Sequence, residues 1–461
     1  MISRATLARA GQRALQRHTN PGNRRCLATP ASGSFSYETG DAAGIKIASR
    51  DLPGPTTHLA VVAKAGTRYE PLPGFSEALE KFSFKNTSRR SALRIQRETE
   101  LLGGEYSTYH SRENLVIGAK FLRDDLPYFA ELIGEVISRT KYTAHELHEQ
   151  VIPNMALSRK SLLGHVDQLA INSAHGIAFH RGLGNPLHPS SSLPMTKYLA
   201  EGSLQYYSRA AYSKSNFAIV ANGADHQELT KWVGEFFTEV ENSPPKDLPN
   251  PGATATKYYG GEERIAHDSG NSVVIAFPGS GSITGGSYKP ESQVLAALLG
   301  GQSNIKWAPG FSLLSKATEA YPQVHTRTEH HTYSDAGLLA ITISGQNAQQ
   351  LRKAIEEVVK TLKSVGAGNV SKEDIKKATA TAKFKALESG QNISTGVELT
   401  GAGLVQGGKA FQIDELAKAI DSVTEEQVKK AAKSMLDGKA TLSAVGDIYM
   451  LPFAEELGLN V

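Results

Sequence analysis

A zinc peptidase of the inverted type carries its metal on one helical turn, His-x-x-Glu-His, where two imidazoles hold the ion and the glutamate activates its bound water. The stretch GFSEALEKFSFKNTSRR, Gly74 to Arg90, contains that frame with its ligands replaced. Glu77 and Lys81 occupy the imidazole positions, and Glu80 holds the place of the general base. An ammonium repels Zn²⁺ and has no lone pair to donate. The helix therefore cannot complete a centre of three protein ligands and one open position. Glu80 then reads as an ordinary helix carboxylate. The spacing of Glu77 and Lys81 predicts a different bond, an i,i+4 ion pair with the acid on the N-terminal side.

Other stretches offer weaker chemistry. His145-Glu146-Leu147-His148-Glu149 sets two imidazoles at i and i+3, in neither zincin order, on the polar start of a helix, which predicts a solvated face. His330 and His331 are neighbours in a strand and point apart, with no acidic or cysteine pattern beside them. The stretch PGSGSITGGS, Pro278 to Ser287, joins an apolar strand to a helix starting near Pro290, a place where backbone amides can cradle phosphate. Its Gly279, Gly281 and Gly285 match neither the dinucleotide fingerprint nor a P-loop. A second glycine-containing loop, Leu299 to Phe311, has no phosphate motif; such loops bind extended peptides or fill interfaces. Tyr206-Tyr207 and Tyr258-Tyr259 are amphipathic aromatics of the kind enriched at interfaces, and Trp307 reads equally as anchor or core.

Composition closes further classes. The 461 residues, 40% apolar and 21% charged, describe a globular chain with several cores. No apolar run approaches the roughly 18 residues a membrane-spanning helix needs. Residues 1–37 hold six arginines and no acid before Glu38, with Leu7, Ala10, Ala14 and Leu15 at helical spacing. That pattern predicts a mitochondrial transit peptide over 1–37, cut near Leu27 and Ala28 or trimmed as far as Ser36. A cut before Leu27 leaves 44 basic against 46 acidic residues, which argues against nucleic acid as a partner. It also removes Cys26, the only cysteine, so thiol nucleophiles, disulfides and cysteine metal sites are excluded.

The remainder reads as a duplication around a Pro/Gly-rich linker, residues 241–264, which separates a domain at 38–240 from one at 265–461. HLAVVAKAG at His58 and NSVVIAFPG at Asn271 are apolar strands at matching places. SRENLVIGAKF at Ser111 matches SDAGLLAITIS at Ser334, 223 residues on, and an amphipathic helix follows each. Capping boxes at Thr143/Glu146 and Ser371/Asp374 come next, then strands ending in glycine at Asn216–Asp225 and Ala440–Asp447. Strands of mixed period two alternate with helices. The expectation is α+β: two homologous layered domains, each a largely antiparallel sheet packed with helices, with one covered and one more polar face.

The stretches VVAKAGTRYE, GFSEALEKFSFKNTSRR, LLGGEYSTYHSRENLVI and FLRDDLPYFAELI resemble the pitrilysin-type, mitochondrial processing peptidase family. In that family the third ligand is a glutamate, which the run VIPNMALSRKS places at Asn154 or, one residue away, Pro153. The resemblance therefore implies a degenerate zinc site at Glu77, Glu80, Lys81 and Asn154, with no catalytic residue and no metal. KYYGGEERI, LLGGQSNIKWAPGFSLLSKA and TYSDAGLLAITISGQNA resemble the inactive members that serve as core subunits of respiratory complex III. This implies a scaffold on the matrix side of the inner membrane, peripheral, with core protein 1 and the cytochrome b assembly as partners in a heteromeric, dimeric complex. No cofactor is expected, since the chain has no haem-ligand pair, quinone-site signature or redox cysteine. The alternative within the family is the non-catalytic, substrate-binding α subunit of the processing peptidase.

Overall fold

The computed structural model describes residues 36–190, 193–245, 255–303 and 310–461. The expected leader with Leu27 and Ala28, the middle of the Pro/Gly segment and Trp307 lie outside the described residues. Strands β1 (Glu38–Ala42), β2 (Ile45–Arg50), β3 (Thr56–Ala63), β4 (Glu105–His110), β5 (Leu115–Leu122) and β6 (Phe217–Asn222) form the first sheet. Its order is β1-β2-β6-β3-β5-β4, antiparallel except for β2 beside β6. Seven helices of eight residues or more accompany it: α1 (Phe75–Phe82), α2 (Ala92–Leu101), α3 (Leu126–Arg139), α4 (Ile152–Leu163), α5 (Val166–Phe179), α6 (Glu201–Ala211) and α7 (His226–Phe236).

The second sheet comprises β7 (Gly261–Ala266), β8 (Asn271–Pro278), β9 (Val324–Thr332), β10 (Gly337–Gly345) and β11 (Thr441–Gly446). Its order is β7-β11-β8-β10-β9, with only β7 and β11 parallel. With β1 set aside, the two orders match strand for strand, parallel pair included. The duplication read from spacing is thus a duplication of topology. The helices of this half are α8 (Pro290–Leu299), α9 (Ala348–Gly366), α10 (Lys372–Gln391), α11 (Ile393–Ala402), α12 (Ile413–Asp421) and α13 (Glu425–Asp437). The caps fall where expected. The Ser371 hydroxyl accepts from Asp374 N–H at 3.0 Å and the Thr143 hydroxyl from Glu146 N–H at 3.4 Å.

Each strand has two lines of side chains, and on the inner strands of both sheets the structure buries nearly all of both. On β3, Leu59, Val61 and Ala63 face the core built with α1 and α3, whereas Ala60 and Val62 face the opposite way. The expectation of a more polar second face fails here. Ala48, Ala60, Val62, Val116, Ala218 and Val220 are capped by Val397 of α11 and by Leu404 and Ala410, all from the second half. The second sheet receives the reverse: α5, from the first half, lays Ala170, Ala174, Ala178 and Phe179 on Val274, Ala276, Leu338, Ala340 and Val445. These outward residues are small because a helix backbone must approach them closely. At Gly401 of α11 an added Cβ would lie 2.5 Å from Val62.

Each half therefore lends a helix to the other's sheet. Among the described residues no helix is long and apolar enough to cross a membrane.

Gly401→Leu should push α11 off Val62 and lower stability by about 1–3 kcal/mol, the usual cost of overpacking. Urea unfolding checks this, and an unchanged midpoint would show that the close approach is dispensable.

Candidate functional site

Helix α1 lies inside the protein. Every residue of Phe75–Phe82 is buried except Lys81, whose side chain keeps 26% of its exposure. The predicted Glu77–Lys81 ion pair does not form. Glu77 is wholly enclosed and its Oε1 meets His188 Nδ1 at 3.0 Å, while Lys81, at the accessible edge, donates to Glu80 Oε1 at 2.7 Å. Burial decides the pairing: an enclosed carboxylate takes the partner that packing brings to it. Glu80 is no ordinary helix carboxylate either. Its Oε2 is hydrogen-bonded to His110 Nδ1, and His110 Nε2 reaches the carbonyl of Leu187 at 2.9 Å.

Burial alone would raise the Glu80 carboxyl, but the His110 bond and charge, with Lys81, hold it below the ordinary value. Burial alone would lower His110, and the Glu80 bond and charge raise it instead. The two form an enclosed ion pair. Just before the helix, Glu70 accepts from the amides of Gly74 and Ser76 at 3.0 and 3.1 Å, and burial pushes its carboxyl up to about 8. Asn154 lies exposed on α4. The arrangement brings His110 and His188 to the degenerate helix, their rings 5.7 Å apart, but ties each imidazole to its own carboxylate. Among the described residues no group of three or more His, Cys, Asp or Glu is placed to hold a metal. His110 and His188 lie far from the helix in sequence, and no local pattern marks either one.

The remaining candidates have structural uses. His145 is exposed and pairs with Glu149 at 3.0 Å. The loop after β8 folds onto the β9–β10 turn, with Ser282 N–H donating to Tyr333 O at 2.7 Å. Tyr207 is buried, and Tyr258 hydrogen-bonds Thr441 Oγ1 at 2.8 Å, so each tyrosine pair has one member inside this chain.

The densest polar contacts join the two halves where the β4–β5 and β9–β10 turns meet. Arg68 donates to Glu113 Oε1 at 2.7 Å and to both Asp335 oxygens at 2.7 and 2.8 Å. Glu113 also accepts from the backbone and hydroxyl of Ser334 at 2.9 and 2.6 Å. Beside this fork, His175 of α5 and Tyr333 Oη are 2.8 Å apart. Glu398 of α11, 223 residues beyond His175, plays the mirrored part, accepting from Tyr109, Ser111 and Asn114 at 3.1–3.2 Å. The borrowed helices are pinned as well as packed.

Arg68→Met leaves Glu113 buried without its counter-charge and should cost about 3–5 kcal/mol. Chemical denaturation checks it, and the double variant with Glu113→Gln should lose less than the two single losses combined. Burial, then His331, lowers His330 to about 4, and burial lowers His175 well below its ordinary value. Both bind a proton more weakly folded than unfolded. Their contribution is therefore complete above about pH 6.5 and is lost as pH falls below it, for His330 down to about 4, at up to about 1.4 kcal/mol per pH unit for each group. His330→Gln should flatten the stability–pH curve in that window.

Comparison with known proteins agrees with this geometry. Residues 46–188 match the insulinase (peptidase family M16) model and residues 200–381 the peptidase M16 inactive domain. The chain is 51% identical over 100% of both lengths to the mitochondrial cytochrome b-c1 complex subunit 2 of Neurospora crassa. It is 34% identical to that of Yarrowia lipolytica, covering 91% of this chain and 96% of the relative. A probable mitochondrial-processing peptidase subunit alpha-1 of Arabidopsis thaliana is 25% identical over 89% of this chain and 81% of its own. With two M16 domains and full-length similarity of this kind, the chain belongs to peptidase family M16 and groups there with the cytochrome b-c1 complex subunit 2 proteins.

Proposed function

We propose that this chain is a non-catalytic core subunit of the mitochondrial cytochrome b-c1 complex, ubiquinol–cytochrome c reductase, in the position of core protein 2. It supports assembly and stability of the complex rather than chemistry. The observation that carries this is the full-length similarity to relatives of that name. The residues agree: Glu77, Lys81 and Asn154 stand at the ligand positions, and α1 is closed where a zinc peptidase needs an open coordination site. Core protein 1 and the cytochrome b assembly are its partners. The chain is peripheral on the matrix side, in keeping with the lack of a membrane-spanning helix among the described residues.

The arginine-rich segment 1–37 serves as import leader, cut near Leu27 and Ala28 or as far as Ser36. Residues 38–240 form one duplicated domain, and the other begins at Gly261 rather than at 265, since β7 pairs with β11 in the second sheet. Two sheets, each covered by a helix from the other half, suit a rigid scaffold, because domain motion would expose apolar residues on both.

Separating mitochondrial complexes in mild detergent under native conditions tests the proposal. The chain should migrate with a large haem-absorbing assembly. Migration as a haem-free soluble heterodimer of about twice its mass would sink the proposal in favour of the processing-peptidase α subunit.

A further inference from the structure

We propose that a clasp on the Tyr37 backbone shields the chain from Tyr37 through β1 from proteolysis, so that removal of the leader stops N-terminal to Tyr37. One carboxamide from the second half grips its backbone on both sides. Tyr37 N–H donates to Gln412 Oε1 at 3.1 Å, and Gln412 Nε2 donates to Tyr37 O at 3.2 Å, across 375 residues of sequence. This is the pair of bonds a neighbouring strand would supply. Gln412 immediately precedes α12, so the clasp is anchored on a packed helix.

The tyrosine ring is held as well. It packs against the Ala60, Val62 and Val220 face, and burial raises its hydroxyl above the ordinary value, against the opposing pull of Asn222, Thr400 and Arg50. Gly396 of α11 makes the room, since a Cβ there would lie 3.3 Å from the Tyr37 oxygen. The strand that follows, β1, is the one strand without a counterpart in the second sheet; it lies at an edge and pairs only with β2. Tyr37 ties this extra strand to the other half.

A protease needs an extended, unpaired backbone so that water can cleave the amide into a carboxylate and an ammonium. Residues whose N–H and C=O are already bound cannot be offered to it. The Tyr37–Glu38 bond and those within β1 are therefore protected once the halves have closed. The position of the natural cut rests on the leader reading; the clasp itself does not.

Native digestion of the full chain with a broad-specificity endoprotease tests this, with new N-termini read by mass. Wild-type fragments of this region should all begin at or before Tyr37. Gln412→Ala and Gly396→Ala should both give starts within or beyond Glu38–Ala42, appearing about tenfold faster. Wild-type starts within Glu38–Ala42, or no change in either variant, would overturn the clasp. The chain isolated from mitochondria separates the two readings: a start at Glu38 or later overturns the clasp, whereas a start at Met1 overturns the leader instead.

Discussion

Neither sheet of this protein can exist alone in water, because each has two apolar faces and only one set of its own helices. The outward face of the first sheet is a layer of alanine and valine, and so is much of that of the second. An isolated half would expose that layer at roughly 25 cal/mol per Å². The exchange of α5 and α11 removes both exposures together. The other features of the seam serve this exchange: small residues on the strands, Gly401 on α11, and polar groups that fix where each borrowed helix lies.

The polar seam is built from pieces that the duplication made equivalent. His175 and Glu398 hold the same place on the two exchanged helices, and each takes the turn residues of the sheet it covers. The two halves have diverged in charge at these positions. One helix offers a neutral imidazole to a tyrosine hydroxyl, the other a carboxylate to three donors. Arg68 then spans both turns, its fork matched to Asp335 and its remaining donor to Glu113. Guanidinium geometry suits this position because it satisfies two acidic groups at once with little entropy lost per bond.

Helix α1 shows what an enclosed turn does with its charged side chains. Its burial means that these groups need partners inside the protein. Glu77 takes His188, and Glu80 takes His110 and Lys81. Both imidazoles come from elsewhere in the chain, and each faces a single carboxylate.

Local chemistry in the sequence was enough to determine several things: the amphipathic helices, the capped starts at Thr143 and Ser371, and the duplicated order of strands. These depend on residue type and on periods of two and 3.6, which neighbours in the chain carry by themselves. Tertiary structure alone decided who pairs with whom. Glu77 was free to bond Lys81 by spacing and bonds His188 instead, because enclosure removes the solvent that makes i,i+4 pairs competitive. The second sheet faces read as half-polar, since alanine and small polar residues carry little hydrophobic signal, yet they are buried by helices hundreds of residues away. Such contacts join positions with no regular separation, so no periodicity records them, and only the closed fold brings them together.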